Sequence, residues 1–241
     1  MNRISAQRNI ESLILVAHRL QELCSEVTFV GGCITGLLIT DKAAPDVRFT
    51  IDVDCIIDVI TQPGFHALAE KLRQKGFKEM STGNHPVCRW DCDGILIDVM
   101  PTDENVLGFS NRWYKDALVN AINVKITDSV DIKIISAPYF LATKLEAFKD
   151  RGKEDFLLSH DLEDIISVID GRPEIVSDVL DTQHDLKEYL SSEFLAFVQN
   201  DKFNQSLPGH LNYSDEFEDR KKIVLGRVQA IIDLEKSNER P

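Results

Sequence analysis

Residues 48–57 read Arg48-Phe49-Thr50-Ile51-Asp52-Val53-Asp54-Cys55-Ile56-Ile57. Apolar and polar positions alternate through this stretch and its flanks, from Val47 to Ile60, which is the pattern of a long strand. Side chains two apart on a strand share a face. Asp52 and Asp54 are therefore expected to project together, with Thr50 beside them and with Ile51 and Val53 packed behind. A third acid, Asp98, sits among apolar residues in Gly94-Ile95-Leu96-Ile97-Asp98-Val99-Met100, on a separate expected strand. A carboxylate in such a setting is costly unless it is paired, exposed or bound to a cation. Three carboxylates converging on one sheet edge would repel one another and raise their pKa values, unless a divalent ion compensates. Mg²⁺ takes oxygen ligands from one or two carboxylates together with substrate phosphates, and Asp52 and Asp54 are its expected ligands here. Taken singly, each aspartate reads more simply as a solvent-facing or Arg-paired side chain.

Working outward from this stretch, the short run Val27-Thr28-Phe29-Val30 stops at Gly31-Gly32 and leads into a helical segment from Cys33. The two glycines thus mark a strand-to-helix turn. There, backbone N–H groups can approach a phosphate, and a helix N-terminus favours negative charge. Upstream, Ile10, Leu13, Ile14, Ala17, Leu20 and Leu23 form the stripe of an amphipathic helix over residues 6–24, with Ser5 as its expected N-cap. Downstream, Pro63 opens a helix that Gly76 closes. Strands are then expected at 77–80, 86–92 and 94–100, the last two joined by Asp93-Gly94. A short helix near 113–121 precedes two β-rich stretches flanking Asp128-Ser129. Beyond Pro138 helical periodicity takes over, except at 201–213, which is polar, contains Pro208-Gly209 and reads as a loop. The expected fold class is α+β: a domain of residues 1–136 followed by a helical domain of residues 137–241.

Composition bounds the function. A net charge of −13 repels polyanions in general, so a nucleic-acid partner must meet a local basic patch. Five cysteines, an odd number at irregular spacing, argue against a disulfide framework and fit a reducing compartment. Cys88, Cys92 and His85 invite a zinc reading, but no second ligand pair follows at finger-like spacing. No apolar run approaches the roughly 20 residues that span a bilayer, and Glu11 interrupts what would be a signal's apolar stretch. The expected location is cytoplasmic, with no membrane partner.

Strand, Gly-Gly turn, helix, a strand bearing Asp-x-Asp and a later strand bearing a third Asp, in that order, together resemble the polymerase-beta-like nucleotidyltransferase superfamily. Arg48-x-Thr50-x-Asp52-x-Asp54 further resembles the AbiEii/AbiGii-type nucleotidyltransferases found as toxins of bacterial toxin–antitoxin systems. So does the later segment Lys144-Leu145-Glu146-Ala147 through Arg151 and Lys153, followed by His160-Asp161-Leu162-Glu163-Asp164. The resemblance runs from about residue 29 to residue 165. It implies a mixed sheet with flanking helices and a C-terminal helical domain. It also implies an enzyme that transfers NMP from an NTP substrate to an acceptor hydroxyl on tRNA, protein or a small molecule, and a possible cognate antitoxin. Asp52, Asp54 and Asp98 would be its catalytic carboxylates. Gly31, Gly32, Thr50, Lys144 and Asp161 would bind nucleotide, with Asp164 an alternative to Asp161. Cys33 stands where Ser or Thr often follows the glycines in the family, and the spacing from Gly32 to Asp52 is longer than usual. Those departures motivate the alternative of a nucleotidyltransferase-like binding or regulatory protein without turnover.

Overall fold

The computed structural model describes residues 3–80, 87–151, 155–211 and 217–236. The chain is mixed α/β and divides into two compact units. One comprises the chain up to Gly36 together with Arg48–Ser136; the other comprises Leu37–Val47 and the chain from Ala137 on. The step at Ser136/Ala137 lies where the sequence changes character. The short excursion of Leu37–Val47 into the second unit is not expected from a contiguous partition. Among the described residues no helix is long and apolar enough to cross a membrane.

The first unit contains, in chain order, α1 (Ile4–Leu20), β1 (Val27–Val30), the start of α2 (Thr35–Leu38), β2 (Asp52–Ile57), α3 (Gln62–Gln74), β3 (Lys78–Glu79), β4 (Arg89–Cys92), β5 (Ile95–Pro101), α4 (Glu104–Leu107), α5 (Tyr114–Val119), β6 (Ile122–Thr127) and β7 (Val130–Ile134). Its strands form one mixed sheet in the order β3-β4-β5-β2-β1-β7-β6. β2 runs parallel to β5 and antiparallel to β1, and β4 and β5 form an antiparallel hairpin. Asp93 and Gly94 both have positive φ at its tip, the two-residue turn that matches strand twist. Lateral register places Val53 and Cys55 beside Ile97 and Val99, and Trp90 beside Ile97. All five are at most 1% exposed, so this apolar face anchors the strands and turns the alternate residues the other way.

β2 is shorter than the alternation suggests. It begins only at Asp52, because residues 48–51 are held by a side chain instead of a strand. The Asn9 amide, fully buried on α1, donates to Arg48 O at 3.0 Å and accepts from Thr50 N at 3.1 Å. Asn9 thereby satisfies backbone groups that a ladder would otherwise use. Ile51 sits in the bend before the strand and is 70% exposed, so the expectation that it packs behind the aspartates is corrected. α1 itself starts one residue before Ser5, with Arg3 at the N-cap position and no side-chain cap bond.

The second unit is helical: the residues from Leu37 to Val47, then α6 (Ala137–Arg151), α7 (His160–Gly171), α8 (Ile175–Leu180), α9 (His184–Val198), α10 (Asp201–His210) and α11 (Phe217–Lys236). Residues 201–210, expected as loop, form α10. Asn200 caps it through Lys202 N, and Phe203, Ser206 and Leu207 are buried at helical spacing. Phe203 joins Phe197 and Phe156 at ring-centroid distances of 5.3 and 6.4 Å, and Phe148 meets Phe156 and Phe197 edge-on. Burial of one large aromatic overrides the local preference of a Pro-Gly pair near the helix end. The segment Leu37–Val47 is tied to the end of α7: Thr40 N and Asp41 N both donate to Gly171 O, and Arg172 Nη1 donates to Leu38 O.

Candidate metal centre

Register brings the expected carboxylates together. In the parallel pair β2/β5 Asp54 lies directly beside Asp98, and in the hairpin β4/β5 Arg89 lies directly beside Asp98. Asp52, two residues before Asp54, shares their face. One carboxylate oxygen from each of Asp52, Asp54 and Asp98 falls within 4.8 Å of the others. Asp98 is buried, while Asp52 and Asp54 are partly open to solvent. Three oxygen donors that close, with one side accessible, are a donor set suited to a hard divalent cation. The triad can therefore hold a metal ion.

The Gly31-Gly32 turn lies against this triad. Gly31 has φ +73°, and a Cβ built on it would overlap the Asp54 carboxylate. A Cβ on Gly32 would collide with the Arg48 guanidinium and approach Thr50 Cγ2 at 2.7 Å. Only glycine lets the backbone run this close to the acidic residues. Thr50 is buried, and its hydroxyl donates to Asp52 O at 3.1 Å; it fixes the entry to β2. The Cys33 thiol turns inward and donates to Val30 O at 3.2 Å, so at 1% exposure it offers nothing to a phosphate.

Sequence reasoning missed Arg89. Its Nε donates to Asp98 Oδ1 at 2.8 Å, and its Nη2 donates to Asp98 Oδ2 at 2.7 Å and to Asp52 Oδ2 at 3.1 Å. The bidentate fork is the strong form of an ion pair. The hydrogen bonds to Asp98 raise the Arg89 pKa above its ordinary value, against the opposing effect of partial burial. The zinc reading finds no support. Cys88 and Cys92 are buried on the same side as Trp90, and burial pushes the Cys88 thiol up to about 12; His85 lies outside the described residues.

Lys144 and Asp161 belong to the helical unit, where they form a cluster of their own. Lys144 Nζ lies 3.0 Å from Asp161 Oδ1 and 2.7 Å from Asp164 Oδ2. All three residues are nearly inaccessible. Asp161 and Asp164 thus share the same ammonium. Arg151 closes the group from α6, donating to both Asp161 oxygens at 2.9 Å. Burial alone would raise the Asp161 carboxyl, but the Arg151 hydrogen bonds and the Lys144 charge outweigh it and hold it at about 2. Its folded-state pKa is thus below its ordinary value of 3.8. The stabilisation, on the order of 2 kcal/mol, is present above that value and is lost as pH falls through about 2. Acid titration followed by circular dichroism should show helix loss between about pH 4 and 2, and Arg151→Ala should shift that loss to higher pH.

No family model matches the chain, and no curated protein does. Among solved structures, the crystal structure of JHP933 from Helicobacter pylori aligns over 98% of this chain and 95% of its own, at 12% identity and a TM-score of 0.39. A likeness that weak carries no argument about function.

Proposed function

We propose that the chain is a Mg²⁺-dependent nucleotidyltransferase of the polymerase-beta-like superfamily, similar to the AbiEii/AbiGii-type enzymes. The observation that carries this reading is the convergence of Asp52, Asp54 and Asp98 within 4.8 Å against a Gly-Gly turn that tolerates no side chain. Asp52 and Asp54 would hold the ion, which supplies positive charge to phosphate oxygens. The Gly31 and Gly32 backbone would receive the triphosphate. Arg48, whose guanidinium lies over Gly32, adds a cation at that edge. The acceptor hydroxyl attacks the α-phosphorus, the bond to the β-phosphate bridging oxygen breaks, and pyrophosphate leaves with the electron pair. The hydroxyl proton passes to solvent or to a carboxylate of the triad; Asp98, the carboxylate expected from the sequence for that role, would fill it with both oxygens already accepting from Arg89. The protein's share is positioning and electrostatic stabilisation, so no nucleophilic side chain is required.

The acceptor class is open among tRNA, a protein hydroxyl and a small molecule, and a toxin role with a cognate antitoxin follows only from the resemblance. A second reading, nucleotide binding without turnover, draws on the Arg89 guanidinium inside the acidic cluster. One experiment separates the two. The purified protein is incubated with each NTP labelled at the α-phosphate, Mg²⁺, and cellular RNA or protein, with and without EDTA. Label transferred to an acceptor, and abolished by EDTA, is the expected result. Retained nucleotide binding with no transfer for any NTP and acceptor pool would leave the binding-protein reading in its place.

A further inference from the structure

We propose that Arg89 stands where a second metal ion would otherwise sit, so that the site takes one divalent cation, on Asp52 and Asp54, with Asp98 committed to the guanidinium. The inference deepens the nucleotidyltransferase reading and rests on it for the use made of the ion. The ion count itself is a property of the side chains. Arg89 sits directly across the β4/β5 ladder from Asp98, held by a two-residue turn and a fully paired hairpin. That ladder fixes the Arg89 backbone beside Asp98. Its fork occupies one lone pair on each Asp98 oxygen, and its third hydrogen bond reaches Asp52. Withdrawing it would strand the Asp98 charge at 7% exposure, which is costly without a replacement cation. Charge points the same way. Arg89 brings a positive charge into the space beside Asp98 and Asp52, where a second cation would be repelled.

Arg89 is thus a positioning and charge-balancing residue, and it gives the variants opposite signs. The test is a count of bound Mn²⁺ by electron paramagnetic resonance, on the full-length protein without nucleotide. Wild type should bind one ion per chain. Asp54→Asn should lose it. Asp98→Asn should keep it, because Asp98 is not a ligand, and Arg89→Met should take up two. Two ions on the wild type, loss of the ion in Asp98→Asn, or a single ion on folded Arg89→Met would each overturn the proposal. Arg89→Lys, which retains the charge should the methionine variant not fold, is expected to bind one ion; two would likewise overturn it. Nucleotidyl transfer assayed on the same wild-type preparation separates the failures. Transfer with two bound ions sinks only the role given to Arg89, whereas neither transfer nor bound ion sinks the metal-dependent reading with it.

Discussion

Asp54→Ala is expected to lower nucleotidyl transfer by about a thousandfold or more, the scale on which preorganised electrostatic groups act in such sites. The same change should not lower the unfolding temperature. Asp54 is partly open to solvent, where truncation leaves no core cavity. The change removes an expected metal ligand and leaves the apolar face of the sheet intact. Activity and stability should therefore move independently, and assaying transfer and thermal unfolding on one preparation checks both. A fall in both together would mean that Asp54 is a structural residue and that the triad is not the reaction centre. Gly31→Ala should produce the activity loss by another route, since its Cβ would displace the same carboxylate and L-residues resist a φ of +73°. Displacing a catalytic group by an ångström costs on the order of a hundredfold.

Lys144→Met is expected to destabilise the helical unit by about 3–5 kcal/mol, the usual cost of removing one partner from a buried ion pair. Lys144 is 5% exposed and its ammonium serves Asp161 and Asp164 at once. Arg151 continues to hold Asp161, while Asp164, at 1% exposure, loses its ion pair with Lys144. Adding Asp164→Asn to Lys144→Met should recover part of the loss, and urea unfolding followed by helix signal reads both. The family resemblance implies instead that Lys144 contacts nucleotide. That role predicts weakened nucleotide affinity at unchanged stability, the reverse of what its burial and pairing predict.

The carboxylates were legible in the sequence because strand alternation is a property of the backbone. Asp52 and Asp54 had to share a face, and Asp98 in an apolar strand needed a partner. Arg89 was legible too, though only by counting. From the Asp93-Gly94 turn outward, Cys92 pairs with Ile95, and three steps further Arg89 pairs with Asp98. The two-residue turn fixed the register, and that register was the signal left unused. Asn9 was of a different kind. It lies 41 residues from Thr50, and no local pattern reports that a helix amide will stand in for a strand partner. α10 failed for a third reason, since its buried stripe holds only two apolar residues, Phe203 and Leu207, beside Ser206, and its helical state depends on an aromatic cluster assembled from distant elements. Tertiary burial decided it, over Pro208-Gly209.

The excursion of Leu37–Val47 sets an order on the chain's own synthesis. These residues leave the ribosome early, separated from the Gly-Gly turn by four residues, yet the carbonyl that fixes Thr40 and Asp41 belongs to Gly171 at the end of α7. Domains tend to fold as they emerge, the N-terminal one first. Here the eleven residues Leu37–Val47, which interrupt the earlier unit's sequence, cannot take their final hydrogen bonds until Gly171 has been made. A nascent chain halted at Ser136 would carry all three aspartates and both glycines, but with the intervening stretch unanchored.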